Sequence, residues 1–573
     1  MNYQYIFGLC LTTFLFFGCA KNLDKVPQGV VFDENLKTPE NVEAMVIAAY
    51  SALGNDHWSI PYTTMWAYGS VRGGDAYKGG GGTGDQNDVH AYEVFSLNRV
   101  DLGQSDGTWF RLYVGIARCN TALALLNEIG EDIFPQKVVR TAEVRFIRAH
   151  FYFLLKILFK RIPYIDETVD KALYNTIGND IYTNDELWSK IADDFRFAAE
   201  RLPLTQQDAS RITKGAAQSY LAKTLLYQSY VQDDRHHVTS IDQAKLTEVV
   251  AYCDSVINSG RYRLSNDYAE NFLSQYENGP ESVFALVFSQ SDGTPQGRIN
   301  AGVGTNYPMN QEYGCCGFHQ PSSNLVNAFK TTSAGLPMID DYNANDIVPS
   351  GDFKMQSFDT RLDHTVAIPG HPYKYQKDLV FSASWNRDNA TYGNFMSLKE
   401  TVAYTDPTFM KYPPFMSSSK DWPVIRYADV LLIKAEALIE LNREMEALPL
   451  INAIRSRAQE SDGRLTQSDG SATSNYLTST YQPGINCNWT NDFARKALRF
   501  ERRLEFAMEG YRFFDLVRWG IAAEFINDYF AAEQSRTPHL VGARFEQNRD
   551  EYLPIPQNQI NYSQGLYIQN TGW

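Results

Sequence analysis

Positive charge is in short supply in this chain. Across 573 residues, 52 Lys and Arg stand against 67 Asp and Glu, a formal net charge of −15. Phosphate backbones are held by concentrated Lys and Arg, so this balance excludes a nucleic-acid partner. Long apolar runs are missing too: after residue 18 no stretch approaches the roughly 18 unbroken apolar residues that cross a bilayer. The signatures of several enzyme classes are absent, with no P-loop, no G-x-S-x-G and no H-E-x-x-H. Gly79–Gly84 satisfies G-x-G-x-x-G, but it neither follows a strand nor opens a helix, so it is no dinucleotide fingerprint. Nothing selects a pair of carboxylates for glycoside hydrolysis, and His236-His237 reads as solvated in a charged loop. The expectation is a protein that is not an enzyme and needs no cofactor.

Cysteine is scarce as well, seven in all. Residues 1–18 lack Lys, Arg, Asp and Glu and are rich in Phe and Leu, the composition of a secretory signal peptide. They end in Leu15-Phe16-Phe17-Gly18-Cys19, the small-residue-then-Cys ending of a bacterial lipobox. Cleavage before Cys19 and lipidation of its thiol would anchor the protein to a membrane by acyl chains without embedding it. Residues 19–37 then form the anchor and tether. The remaining Cys119, Cys253, Cys315, Cys316 and Cys487 are odd in number, so one stays free if disulfides form. Buried thiols are the expected state, with a disulfide through Cys315 or Cys316 as the alternative. That adjacent pair lacks the spacing of a zinc C-x-x-C.

Aromatics, by contrast, are abundant: 13% of residues, with 35 Tyr, 33 Phe and 9 Trp. Many fall on helical stripes. Val144, Ile147, Phe151, Leu154 and Leu158 recur at steps of three and four, and Tyr427, Leu431, Ala435 and Leu438 share one face. Helices are also expected over 107–126, 187–202, 214–230, 491–509 and 511–529, the last two parted by Gly510. Pro135, Pro163 and Gly215 mark short connections between antiparallel neighbours. The expected fold is mainly α, a scaffold of tetratricopeptide-like helix hairpins with a few short strands and long irregular loops. A helical region spans 38–264 and contains a loop excursion at 66–106. A second region spans 265–573, with a loop-rich excursion at 265–420, a strand at 282–288 and a helical block at 421–530. Excursions this long are usually functional.

Both excursions mix aromatic rings with polar side chains, the chemistry that stacks on sugar C–H faces and reads sugar hydroxyls. The candidate ligand residues are Trp66, Arg72, Asp75, Tyr77, Lys78, Asp85, Asn87 and Tyr92 in the first, with Tyr68 beside them. The second contributes Asn306, Tyr307, Tyr313, His319 and Trp385. Asp75 and Tyr77 rank highest, because the adjoining glycines are expected to hold them in an exposed loop. Asp341, Asn343 and Asn345 place oxygens at alternate positions as a calcium loop does, and Asp85 to Asp88 form another acidic turn. The sixth position of the former is Asp346 and not Gly, so solvated turns are the favoured reading and no metal is assigned.

Six motifs in order carry a family resemblance over essentially the whole chain. They are Cys19-Ala20-Lys21-Asn22-Leu23-Asp24 with Pro27; Trp109 to Asn120 as W-x-x-x-Y-x-x-I-x-x-x-N; Glu143 to Leu154 followed by Pro163; Ile425 to Ala437; Glu501 to Gly520; and Tyr552 to Pro556 running on to Asn570. Together they resemble the SusD/RagB family of Bacteroidetes outer-membrane lipoproteins. The resemblance implies a surface glycan-binding protein that caps a SusC-like TonB-dependent transporter and delivers oligosaccharide to it. A RagB-like, peptide-binding lid is the alternative. It also implies an outer-membrane location facing the cell exterior, with the membrane reached through lipid at Cys19. The motif charges Arg426, Asp429, Glu501, Arg502, Glu505, Arg512 and Asp515 share helices with core residues and are expected to be paired ions locking hairpins together.

Overall fold

The computed structural model describes residues 37–97, 102–294, 297–347, 352–412 and 415–573. The signal peptide of 1–18, the lipidation site Cys19 and the tether up to residue 36 lie outside the described residues.

The main helices are α1 (Pro39–Leu53), α2 (Gly103–Glu128), α3 (Lys137–Phe159), α4 (Asn184–Arg201), α5 (Lys214–Ser229), α6 (Gln243–Asn258), α7 (Tyr427–Glu440), α8 (Glu444–Gln459), α9 (Asn491–Phe506), α10 (Arg512–Arg518) and α11 (Ala522–Glu533). From α2 to α6 each helix packs on the next, and α7 leans on α6 while contacting α8 and α9. The periodic stripes are the reason. Val144, Ile147, Phe151, Leu154 and Leu158 are all buried, as are Leu431, Ala435 and Leu438. Helix starts are chemically marked. Thr183 and Glu186 form a capping box on α4, and the Asp242 carboxylate accepts from the amides of Ala244 and Lys245 at the start of α6. Gly215 lies within the first turn of α5 and not in a connection. The helical block after 421 is less continuous than its periodicity implies, since 460–490 is irregular and opens only at Thr490, the cap of α9.

Strands are short and paired two by two. β1 (Ala76–Gly79) pairs antiparallel with β3 (Phe318–Pro321), Tyr77 opposite Gln320, and so ties the two excursions together. β2 (Ser282–Leu286), the strand expected from its apolar run, pairs with β4 (Trp422–Arg426), which leads straight into α7.

The motif charges form a buried lattice. Arg426 contacts Glu281 at 2.7 Å, Glu505 at 2.8 Å and Glu509 at 2.9 Å. Arg361 contacts Asp359, Glu501 and Glu505, and Arg455 contacts Glu501. Arg502 bridges Asp429 and Asp515, each at 2.9 Å, and Arg518 holds Asp515 and Glu436. Burial by itself would raise the Glu505 carboxyl. Arg457, Arg426 and Arg361 outweigh it and hold the group well below the usual carboxylate range. Arg512 departs from the expectation of pairing: among the described residues no carboxylate bonds to it, and its Nε is sealed without a partner.

Asp56 has the opposite environment. Neither carboxylate oxygen has a hydrogen-bond partner, and burial pushes the group up to about 7. Between about pH 4 and 7 the folded chain holds a proton here that the unfolded chain has released, so this site loses stability as pH rises through that window. His150 and His236, which burial holds near 3, act in the reverse sense below about pH 6.5. The comparison that isolates Asp56 is therefore a difference. The melting temperature of Asp56→Asn relative to the native chain is expected to climb between pH 5 and pH 8. A difference independent of pH would show that Asp56 does not titrate as assigned.

Candidate functional site

The opening part of the first excursion does not run over the surface. From 61 to 80 every residue is buried, and the chain is drawn inward as a wide helical turn (Trp66–Val71) and then β1. The candidate residues there are consumed by the fold. Trp66 Nε1 donates to the Gly302 carbonyl at 3.1 Å, and the Tyr68 hydroxyl pairs with that of Thr108 at 2.7 Å. Arg72 donates to the Asp550 carbonyl at 2.6 Å and lies 3.9 Å over the Phe513 ring. Asp75 accepts from Arg503 Nε at 2.9 Å, Tyr77 donates to Glu533 at 2.7 Å, and Tyr92 pairs with Ser105 at 2.7 Å. The expected exposure of Asp75 and Tyr77 is thus corrected: the adjoining glycines admit close packing and do not project a loop into solvent. Asn306, Tyr307, Tyr313 and His319 are likewise buried. Tyr307 stacks on Tyr313 with centroids 5.6 Å apart, the Tyr313 hydroxyl donates to the Val402 carbonyl, and His319 Nδ1 meets Glu400 at 2.7 Å.

Lys78 is buried too, and its ammonium shapes the loop that follows. It donates to the carbonyls of Gly79 and Gly82 at 2.8 Å and of Asp85 at 2.6 Å, which draws 79–85 into a tight arch. Burial pulls this Lys down to about 8.

Three candidates stay accessible: Asp85, Asn87 and Trp385. The arch positions the Asp85 carboxylate on the Gly81 amide at 2.9 Å and on Arg387 Nη1 at 2.7 Å. Arg387 and Asp85 are both partly exposed, at 43% and 29% of their side chains. Trp385 sits two residues before Arg387, half-buried, its ring edge-on to Tyr373 and Phe381 at 5.8 and 5.4 Å. Its carbonyl accepts from the Met309 amide at 2.7 Å, which docks the turn 309–317 beside it. In that turn the Asn310 side chain accepts from the amides of Glu312 and Tyr313, and the sulfurs of Cys315 and Cys316 are bonded to each other. Elsewhere Trp58 and Phe415 are half-buried as well, with centroids 4.9 Å apart. The product is an exposed rim on which the Trp385 ring adjoins the Arg387 guanidinium and the Asp85 carboxylate. Arg387, Trp58 and Phe415 escaped sequence reasoning. Arg387 adjoins a loop Trp, which was a usable signal; Trp58 and Phe415 meet each other only through tertiary packing.

Other sequence expectations resolve differently. Asn343 accepts from Asn327 at 2.7 Å, and Arg536 places its guanidinium on Asp346, so the cationic role in this turn is already filled; Asp341 and Asn345 face solvent. Among the described residues no cluster of three or more His, Cys, Asp or Glu is placed to hold a metal. His236 is buried and not solvated, its Nδ1 accepting from Lys160 Nζ at 2.8 Å. Cys119 and Cys253 are buried free thiols.

A rigid stack of helix pairs that presents an open, mixed aromatic and polar rim defines a binding protein. Comparison with known proteins agrees. Residues 280–573 match the SusD family model, and residues 28–226 match a model described as "Starch-binding associating with outer membrane". The chain belongs to the SusD family. SusD-like protein P2 of Formosa agariphila is 25% identical, with both chains covered completely. Among solved structures, a SusD homolog from Bacteroides thetaiotaomicron superposes with TM-score 0.69 at 20% identity, covering 95% of this chain and 99% of that one. Surface glycan-binding protein A of the same organism, solved in complex with laminarihexaose, gives 0.67 at 19% identity, covering 93% and 99%.

Proposed function

We propose that this protein captures an oligosaccharide at the outer membrane and passes it to a SusC-like TonB-dependent transporter, held to the membrane by lipid on Cys19. The observation that carries the glycan reading is the accessible Trp385 ring next to the Arg387–Asp85 pair. A ring offers the stacking platform, while a guanidinium and carboxylate on an adjoining loop offer donors and acceptors for hydroxyls. The binding reported in the name of its structural relative, and the family description, support the same reading. Neither contact calls for net positive charge, which fits a chain of net charge −15.

Isothermal titration against a panel of neutral polysaccharides and a matched set of peptides tests this. Trp385→Ala is expected to weaken binding by about tenfold, and Arg387→Ala by severalfold, with melting temperatures close to native because both side chains are partly exposed. Absence of glycan binding, with peptides binding instead, would replace this reading by the peptide-binding one. Co-purification of the lipidated protein with a TonB-dependent barrel is the expected result for the transport step.

A further inference from the structure

A large cleft shares no lining residue with the rim. It measures about 620 Å³ and is walled by α9, the α10–α11 turn and the 339–344 turn. Its volume falls within the range of about 300–1,000 Å³ typical of ligand sites. Its walls are cationic and aromatic, with Arg499, Arg503 and Arg512 beside Tyr342, Trp519 and Phe525.

Arg499 and Arg512 depart from the carboxylate pairing of most buried arginines, as does Arg72, which is held by the Asp550 carbonyl and the Phe513 ring. Arg361, Arg426, Arg455, Arg457, Arg502 and Arg518 are buried and each bonds to carboxylates. Arg503 is also nine-tenths buried or more; it holds Asp75 through Nε and Asn324 through Nη2, but its Nη1 has no partner. Among the described residues, Arg499 and Arg512 bond to no carboxylate and no hydrogen-bond acceptor of the protein, although both border the cleft. What holds them is aromatic. Arg499 sits 5.1 Å over the Trp519 ring, and Arg512 lies 4.4 Å over Phe525 and 5.9 Å from Trp519. Arg499 and Arg512 thus share one indole with the carboxylate-paired Arg518, and their own donors are left unspent by the protein. Burial pulls both below the usual arginine range, Arg512 to about 10 with Arg503 adding to the effect. Glu436 and Glu440 near Arg499, and Asp75 and Asp515 near Arg512, offset this only in part and bond to neither, so a bound anion would relieve the cost of burial. The acids of the cleft are disposed otherwise. Asp340 is bonded to Lys496 at 2.8 Å, and Asp341 and Asp528 face solvent at the mouth.

We propose that this cleft is a second ligand site, binding the carboxylate or sulfate group of an acidic saccharide between Arg499 and Arg512. The choice of a saccharide rests on the glycan-binding reading above. A guanidinium fork matches either oxyanion with paired hydrogen bonds, and an ammonium does not reproduce that geometry.

Titration of the whole mature chain with tetragalacturonate, galactose 6-sulfate, neutral laminarihexaose and hexaglutamate tests it. The expected result is binding of tetragalacturonate, galactose 6-sulfate or both, with a change in tryptophan fluorescence, and the two arms tell carboxylate from sulfate. Arg499→Gln and Arg512→Gln are each expected to weaken that binding by about tenfold, and Arg499→Lys to fail to restore it. Arg499 is only half-buried, so its variant stays informative if Arg512→Gln proves unstable. Laminarihexaose binding without either anion, anion binding indifferent to Arg499→Gln and Arg499→Lys, or preference for hexaglutamate would overturn the proposal. If no saccharide of any kind binds, the glycan reading falls with it.

Discussion

Arg426→Ala should destabilise the protein by about 3–5 kcal/mol, the range for removing one partner from a buried ion pair. The side chain is 2% exposed and bonds to Glu281, Glu505 and Glu509 together, so its loss takes one partner from each of three buried carboxylates and leaves them only Arg457, Arg361 and Lys399. Those carboxylates come from the β2 approach and the end of α9, whereas Arg426 closes β4 and caps α7. One guanidinium therefore ties the second excursion to the C-terminal helices. Urea unfolding should show the midpoint moving sharply to lower denaturant, while glycan binding by the folded fraction persists. A variant that melts like the native protein but has lost its ligand would overturn the structural role.

Gly69→Ala is expected to be as damaging, at about 4 kcal/mol or more, by a different route. A Cβ at Gly69 would lie 1.7 Å from the carbonyl oxygen of Gly510, and one at Gly510 would lie 2.2 Å from that of Thr64. These are contacts between backbones, which no rotamer change can relieve. Gly510 in addition has φ +82°, in the left-handed region that favours glycine. Little soluble Gly69→Ala protein, or a strongly lowered melting temperature, is the expected outcome. Near-native stability would mean that the two backbones do not meet as described.

These two sites show how far the sequence could be read. The helices were legible because burial of a helix face leaves a repeat of three and four along the chain, as at Val144 to Leu158. The motif charges were legible as structure, because ions interleaved with core residues on one helix must find partners. Arg512 misled that argument: its i to i+4 neighbours show its helix, and only packing shows that Phe525 and Trp519 stand where a carboxylate was expected. The first excursion misled it more. Glycine, tyrosine and aspartate in sequence describe an exposed loop and a tightly packed interior turn equally well. What separates them is a partner hundreds of residues away, Glu533 for Tyr77 and Arg503 for Asp75.

The sequence by itself determined the mainly helical scaffold, the positions of its principal helices and its family. Each of these is written in local periodicity or in contiguous motifs. Gly510 was visible as a break between helices, but the reason for it lies in the nearby Thr64 carbonyl and in its own left-handed φ. Only the tertiary structure decided which aromatics could meet a ligand. Burial depends on what packs against a ring from elsewhere in the chain, so Tyr77 and Tyr307 went inside while Trp385 stayed at the rim.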